Sequence, residues 1–264
     1  MANGGIKRRI IALLACATGL LPVASSQPTP QEVAKALEGP KPVSMRTIPS
    51  ESMLPNLLTG DRVVIVANSA ELKRGAVVIF KHPNSDHIMV DRIVGLPGDS
   101  IQKKKGRLVL NGAVVERTLV REVIYLPADS QHLSRATEYR EQLPGEEQPH
   151  LIHEFSDREM LDETPAVRVP PGHLFMLGDN RDNSEDSRAP SGHRELARAE
   201  PQRWPNRPAF LPADRGDDAI GFVPRTNLMG EAAMVYLTSN RCRLDDRQRA
   251  AGAECLQSRL GQRL

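Results

Sequence analysis

The chain has 264 residues, enough to bury a sizeable core in one large domain or in two modest ones. Lys and Arg number 35 against 33 Asp and Glu, a net charge of +2, and no basic run is large enough to serve as a nucleic-acid footprint. Aromatic residues make up 3% of the chain, which argues against a base-stacking platform as well. With 21 Pro and 19 Gly between short apolar runs, the composition favours many short strands joined by turns over a helical bundle.

In chain order, Lys7-Arg8-Arg9 precedes an apolar run from Ile10 to Ala24, followed by the small residues Ser25 and Ser26. This basic, apolar, small order is the layout of a secretory signal. The run falls short of the roughly 20 residues of a spanning helix, but local bilayer thinning would accommodate it as an uncleaved anchor. Residues 1–26 are therefore a signal peptide or an anchor, and the leading positive charge puts the body of the chain across the membrane. Cys16 is either a lipidation site or a buried thiol in that run. Residues 27–44 read as a Pro-rich linker, in which Thr29-Pro30-Gln31-Glu32 opens one short helix with a cap, a Pro at the first helical position and a capping-box Glu.

From Arg62 the pattern turns to strands. Val63–Val66, Ala76–Phe80 and Ile88–Val94 are β-branched or apolar runs, and Asn111-Gly112 centres a hairpin over 107–115. Residues 118–170 are more polar, with strand-like stretches at 119–126 and 151–155, and read as an inserted β-rich subdomain. The chain returns through Val167–Leu177 to a dense polar run, Gly178–Arg188. Residues 189–218, rich in Pro and Arg, read as a surface loop. Ile220–Pro224 and Ala232–Leu237 supply closing strands, and the charged tail 239–264 is expected to be helical. The expected fold is mainly β: an antiparallel, barrel-like core from 45–117 and 171–238, the inserted subdomain, and few short helices. Cys242 and Cys255 are either a disulfide across a short loop or two thiols.

The stretch Pro49-Ser50-Glu51-Ser52-Met53-Leu54-Pro55, closed by the turn Gly60-Asp61, sets two serines at the entry to a strand. Ser52 is a candidate nucleophile, with a plain turn serine as the alternative. Gly178-Asp179-Asn180-Arg181-Asp182-Asn183-Ser184-Glu185-Asp186-Ser187-Arg188 is dense in groups that hydrogen-bond local backbone, which suits either a structural turn or a site scaffold.

Taken in order, Pro49–Pro55, Gly60-Asp61, Arg92-Ile93-Val94-Gly95-Leu96-Pro97-Gly98-Asp99 and Gly178–Arg188 resemble the bacterial type I signal peptidases, over most of residues 45–238. The resemblance implies a serine endopeptidase of the cell envelope that removes signal peptides from exported precursors after small residues, on the outer face of the cytoplasmic membrane. It implies Ser52 as nucleophile, and the Ser50 hydroxyl with the Ser52 amide as the oxyanion hole. Gly178, Asp179, Ser184, Asp186 and Arg188 would support the site, and Met53 would line a small-residue pocket or else belong to the core. Membrane lipid is an expected partner, nucleic acid is not, and no metal or cofactor is implied.

The departure is at Asp91. The resemblance puts a general-base lysine there, just before Arg92. An aspartate oxygen stands three bonds beyond Cα and a lysine amine five, so at ~1.5 Å per bond the carboxylate falls roughly 2 to 3 Å short, about one water molecule. A carboxylate at ~3.9 is also a weak base, and raising it about three units takes roughly 4 kcal/mol. Other bases fit less well. His87 lies roughly 13 Å along the strand at ~3.3 Å per residue, Lys81 and Lys103–Lys105 read as solvated charges, and His173 reads first as a structural histidine. The alternative to a peptidase is a silent paralogue that binds signal-peptide-like segments without cleaving them.

Overall fold

A computed structural model describes residues 43–67, 72–128, 130–188, 220–238, 244–258, 260–261 and 264. The expected signal or anchor, the linker helix and the loop at 189–218 lie outside the described residues. Among the described residues no helix is long and apolar enough to cross a membrane.

The strands in chain order are β1 (Val43–Thr47), β2 (Asp61–Val66), β3 (Val77–Lys81), β4 (Ile88–Gly95), β5 (Ser100–Lys104), β6 (Arg107–Leu110) and β7 (Ala113–Val114). They continue with β8 (Glu116–Tyr125), β9 (Ser134–Gln142), β10 (His150–Glu154), β11 (Val167–Arg168), β12 (His173–Leu177), β13 (Val223–Pro224) and β14 (Leu228–Thr238), before one short helix, α1 (Asp246–Ala250). The fold is mainly β, as expected. A seven-stranded sheet runs β1-β2-β14-β3-β4-β12-β13, beside a three-stranded sheet β10-β9-β8 and a four-stranded sheet β11-β5-β6-β7. All of these strand pairs are antiparallel.

The apolar runs at 63–66 and 77–80 arise because the large sheet is covered on both faces. Val77 and Ile79 join Val63, Ile65, Val90 and Val235 in one cluster, whereas Val78 and Phe80 join Ile93, Leu174 and Met176 in another. Alternation along β3 therefore fills two cores. The hairpin on Asn111-Gly112 forms with Leu110 opposite Ala113, and both turn residues have positive φ (54° and 83°), as a tight two-residue turn requires.

Three features differ from the sequence expectations. The strands at 100–114 pair with one another and with β11, so by sheet membership they leave the large sheet before residue 117. β9, Ser-Arg-Ala-Thr-Glu-Tyr-Arg-Glu-Gln, lacks an apolar alternation, yet it is the centre of its sheet, with Ala136, Glu138 and Glu141 buried. Among the described residues of the tail, helix is confined to Asp246–Ala250, opened by a capping box between Asp245 and Gln248.

Candidate active site

Among the described residues β1 is an edge strand, hydrogen-bonded to β2, and Ser44–Thr47 are exposed along it. It leads into the buried Ile48 and then into a tight loop. The Ile48 N–H donates to the Asp61 carbonyl (2.8 Å), and the Gly60 N–H donates back to the Ile48 carbonyl (2.9 Å). The same loop is wound by bonds from the Asn56 and Leu57 amides to the Met53 carbonyl, both 2.9 Å. Gly60 takes a φ of 90°, which favours glycine there. At the mouth of this loop the Ser50 and Ser52 hydroxyls stand 3.2 Å apart, Ser50 exposed and Ser52 half-buried. Met53, the next residue, is fully buried in the core cluster beneath them.

The polar run 178–188 clamps the loop from behind. The Asn180 amide donates to the Ser52 carbonyl (2.9 Å), and its side chain donates to the Glu51 carbonyl (3.0 Å). Gly178 is required by close approach: a β-carbon there would fall 2.2 Å from the Ser184 Oγ and 2.6 Å from the Ser52 carbonyl oxygen. Asp179 accepts from Arg92 through both carboxylate oxygens (2.8 and 2.7 Å) and from Asn56 Nδ2 (2.7 Å). Asp186 holds Arg188 in the same two-pronged way (2.9 and 2.7 Å) and accepts from the Gly178 amide (3.1 Å). Burial alone would raise both carboxyls, but Arg92 for Asp179 and Arg188 for Asp186 pull them below the usual carboxylate range.

Asp91 is opposite to these two in character. It sits in β4 across from Val78, 1% exposed, and neither carboxyl oxygen has a hydrogen-bond partner, the Ser52 hydroxyl included. Burial, and then the charges of Asp186 and Asp179, push it well above the usual carboxylate range against the opposing pull of Arg188. The Ser184 hydroxyl is likewise buried without a partner. The knot therefore contains two firmly ionised carboxylates and one carboxyl that burial and their charges favour in its protonated form.

The other candidate bases are elsewhere. His173 Nδ1 is directed at the Pro171 carbonyl (3.0 Å), and His87 is exposed at the start of β4's hairpin. Lys81 is an exposed cation paired with Asp86 at 2.8 Å, and Lys104 and Lys105 are exposed. Lys103 corrects its reading as a solvated charge: it is 1% exposed, and its ammonium donates to Glu154 (2.9 Å) and to the Gly106 carbonyl (2.6 Å). A buried lysine is tolerated there because its charge is paired and hydrogen-bonded.

Sequence reasoning passed over Asn56, which ties the serine loop to Asp179 and to the Leu151 carbonyl (2.7 Å). It also passed over the buried pair Arg181–Glu141, with bonds of 3.0 and 2.5 Å. An Arg inside a dense polar run offers no local sign of its partner, because Glu141 lies 40 positions away on β9. Cys255 is disulfide-bonded, and Cys242 lies outside the described residues.

A mainly β scaffold thus presents a serine pair at the end of an edge strand, over a buried acid–arginine knot. Residues 41–237 match the family described as "Signal peptidase, peptidase S26", and the chain belongs to that family. The motifs that carry the resemblance all lie within this match. Signal peptidase I of Pseudomonas aeruginosa is 33% identical over 208 residues, 72% of this chain and 63% of that protein. Signal peptidase I of Aquifex aeolicus is 27% identical over 219 residues, covering 72% and 74% respectively. Signal peptidase IB of Staphylococcus aureus is 31% identical over 151 residues, covering 56% and 69%. The match to the Pseudomonas relative thus spans less than two thirds of that protein's length.

Proposed function

We propose that the protein is a serine endopeptidase of the signal peptidase I type, removing signal peptides from exported precursors after small residues. The observation that carries this reading is the Ser50–Ser52 hydroxyl pair, 3.2 Å apart at the end of an open edge strand, in a chain of the signal peptidase family. An extended substrate pairs with β1, which brings its scissile carbonyl to the loop mouth. Ser52 Oγ attacks that carbonyl, and the Ser50 hydroxyl with the Ser52 amide stabilises the oxyanion, one such donor being worth about 3 to 4 kcal/mol. Met53, fully buried, supports the loop from the core below rather than facing the substrate. The relatives' names support signal peptides as substrate, and the basic-apolar start of the sequence supports a place at the outer membrane face, in contact with lipid.

Asp91 takes the Ser52 proton through one intervening water and returns it to the leaving amine. Its position supports this role: it is buried in the same knot, its oxygens are free of other hydrogen bonds, and its raised pKa makes the ionised form a stronger base than an ordinary carboxylate. Gly178, Asp179, Ser184, Asp186 and Arg188 hold the frame. The lack of a direct bond from Asp91 to Ser52 favours the rival reading of a silent paralogue, so the test has to measure bond cleavage. The full chain is incubated with a synthetic precursor peptide and the products are read by mass spectrometry. Cleavage after a small residue, abolished by Ser52→Ala, is expected. Binding of the peptide without products over hours would overturn the enzymatic reading and leave the paralogue.

A further inference from the structure

The segment after 237 lies beyond the family match, yet it is built into the back of the serine loop. Glu254 pairs in parallel with Tyr125, its amide donating to the Ile124 carbonyl (2.7 Å), and its carboxylate pairs with Arg121. Cys255 is disulfide-bonded. Leu256 packs against the cluster that holds Leu54 and Leu58, and the Ser258 hydroxyl donates to Asp61 Oδ1 (2.9 Å). The other oxygen of Asp61 accepts from the Leu58 amide (2.9 Å). Leu260 and Leu264 pack against the cluster that holds Met53 and Leu57, and the Gly261 and Leu264 amides bond to carbonyls of β14 (2.8 and 3.2 Å).

The loop residues 53, 54, 57 and 58 point to two sides of one turn, and this segment meets both sides. Between its contacts lies a cavity of about 640 Å³, bounded by Pro55 and Leu151 on one side and by Arg121, Glu254, Cys255 and Leu256 on the other. Around Pro55 the loop therefore rests on the discrete contacts of Leu256 and Ser258 rather than on continuous core. Small displacements of a reacting group reduce rate steeply, about a hundredfold for 1 Å.

We propose that Glu254–Ser258, with Leu260, Gly261 and Leu264, are a strap that positions the Pro49–Gly60 loop, and that the disulfide at Cys255 fastens it, so that the serine pair is held in register only under oxidising conditions. Leu256 and Ser258 are its positioning residues. An external dithiol unfastens the strap: the S–S bond breaks, each sulfur becomes a thiol, and the dithiol supplies two electrons and two protons as it closes to its own disulfide. The catalytic consequence rests on the peptidase reading above; the mechanical one does not.

Two readouts on the full chain separate them. Native-state hydrogen exchange is measured at the Leu54, Asn56 and Leu57 amides for the oxidised protein, for the protein in dithiothreitol, and for Leu256→Ala and Ser258→Ala. Exchange of these amides is expected to rise about tenfold in each case, with β3 and β4 amides unchanged. Unchanged loop exchange, or an equal rise in β3 and β4, overturns the strap. In the cleavage assay, reduction is expected to lower kcat about tenfold with KM within about twofold, and Ser258→Thr, which keeps the hydroxyl, to retain the wild-type rate. An active enzyme whose kcat is indifferent to dithiothreitol overturns the redox dependence. If no condition gives cleavage, the peptidase reading fails, and exchange alone decides the strap.

Discussion

Asp91 is the residue on which chemistry and stability pull in opposite directions. As a base it must be ionised, while burial and the neighbouring Asp186 and Asp179 favour its neutral form. Its folded pKa is raised, so the stability it contributes is present below the ordinary carboxylate range and is lost as pH rises through the folded value. The rate of peptide cleavage is therefore expected to climb with pH through an apparent pKa above that of a free aspartate. Asp91→Asn is expected to remove cleavage and to make thermal stability less sensitive to alkaline pH, and Asp91→Lys to retain or raise the rate. Full activity in Asp91→Asn, measured from pH 5 to about pH 9, would eliminate Asp91 as the base. Gly178 gives a sharper steric test. In Gly178→Ala the new methyl meets both the Ser184 side chain and the Ser52 backbone, and backbone cannot swing aside. A loss of at least about 2 kcal/mol in denaturant titration, along with loss of activity, is expected.

At the scale of the element, β1 makes the substrate hypothesis measurable. Ile48 turns both its N–H and its carbonyl toward the β2 side, so by alternation Met45 and Thr47 turn theirs to the open edge. Thr47→Pro deletes one outward donor without touching the ladder to β2. It is expected to raise KM about tenfold for an extended peptide while kcat and the melting temperature stay near wild type; an unchanged KM would place the substrate elsewhere. The elements also show what could be read beforehand. β3 and β4 were legible because both faces of their sheet are apolar, and the Asn111-Gly112 hairpin because its turn chemistry is local. β9 was not, because its buried positions Glu138 and Glu141 are satisfied by His153 of β10 and by Arg181 of the 178–188 run. The serine loop and the 178–188 run were legible as dense local motifs. The Asn56–Asp179 link that joins them bridges 123 positions and leaves no local trace.

The whole molecule balances two sets of carboxyls. Asp179, Asp186, Glu138 and Glu141 have folded values below the usual range, so their stabilisation is lost as pH falls through those values. Asp182 is raised to about 7, first by burial and then by Asp162, and its contribution is lost as pH rises through that value. Stability is therefore expected to peak near the ordinary carboxylate range, at roughly pH 4 to 5, in calorimetry, and Asp182→Asn to extend the plateau to higher pH. A melting temperature that rises steadily from pH 5 to about pH 8 in the wild type would contradict this balance.

The bond from Ser258 to Asp61 joins residues 197 positions apart. Synthesis runs in one direction, so the serine loop emerges early and its brace only after nearly all of the described chain has followed. Long-range closure of this kind is among the slowest events in folding. The hydroxyl pair would then be aligned last, once the chain as far as Ser258 had closed over the loop.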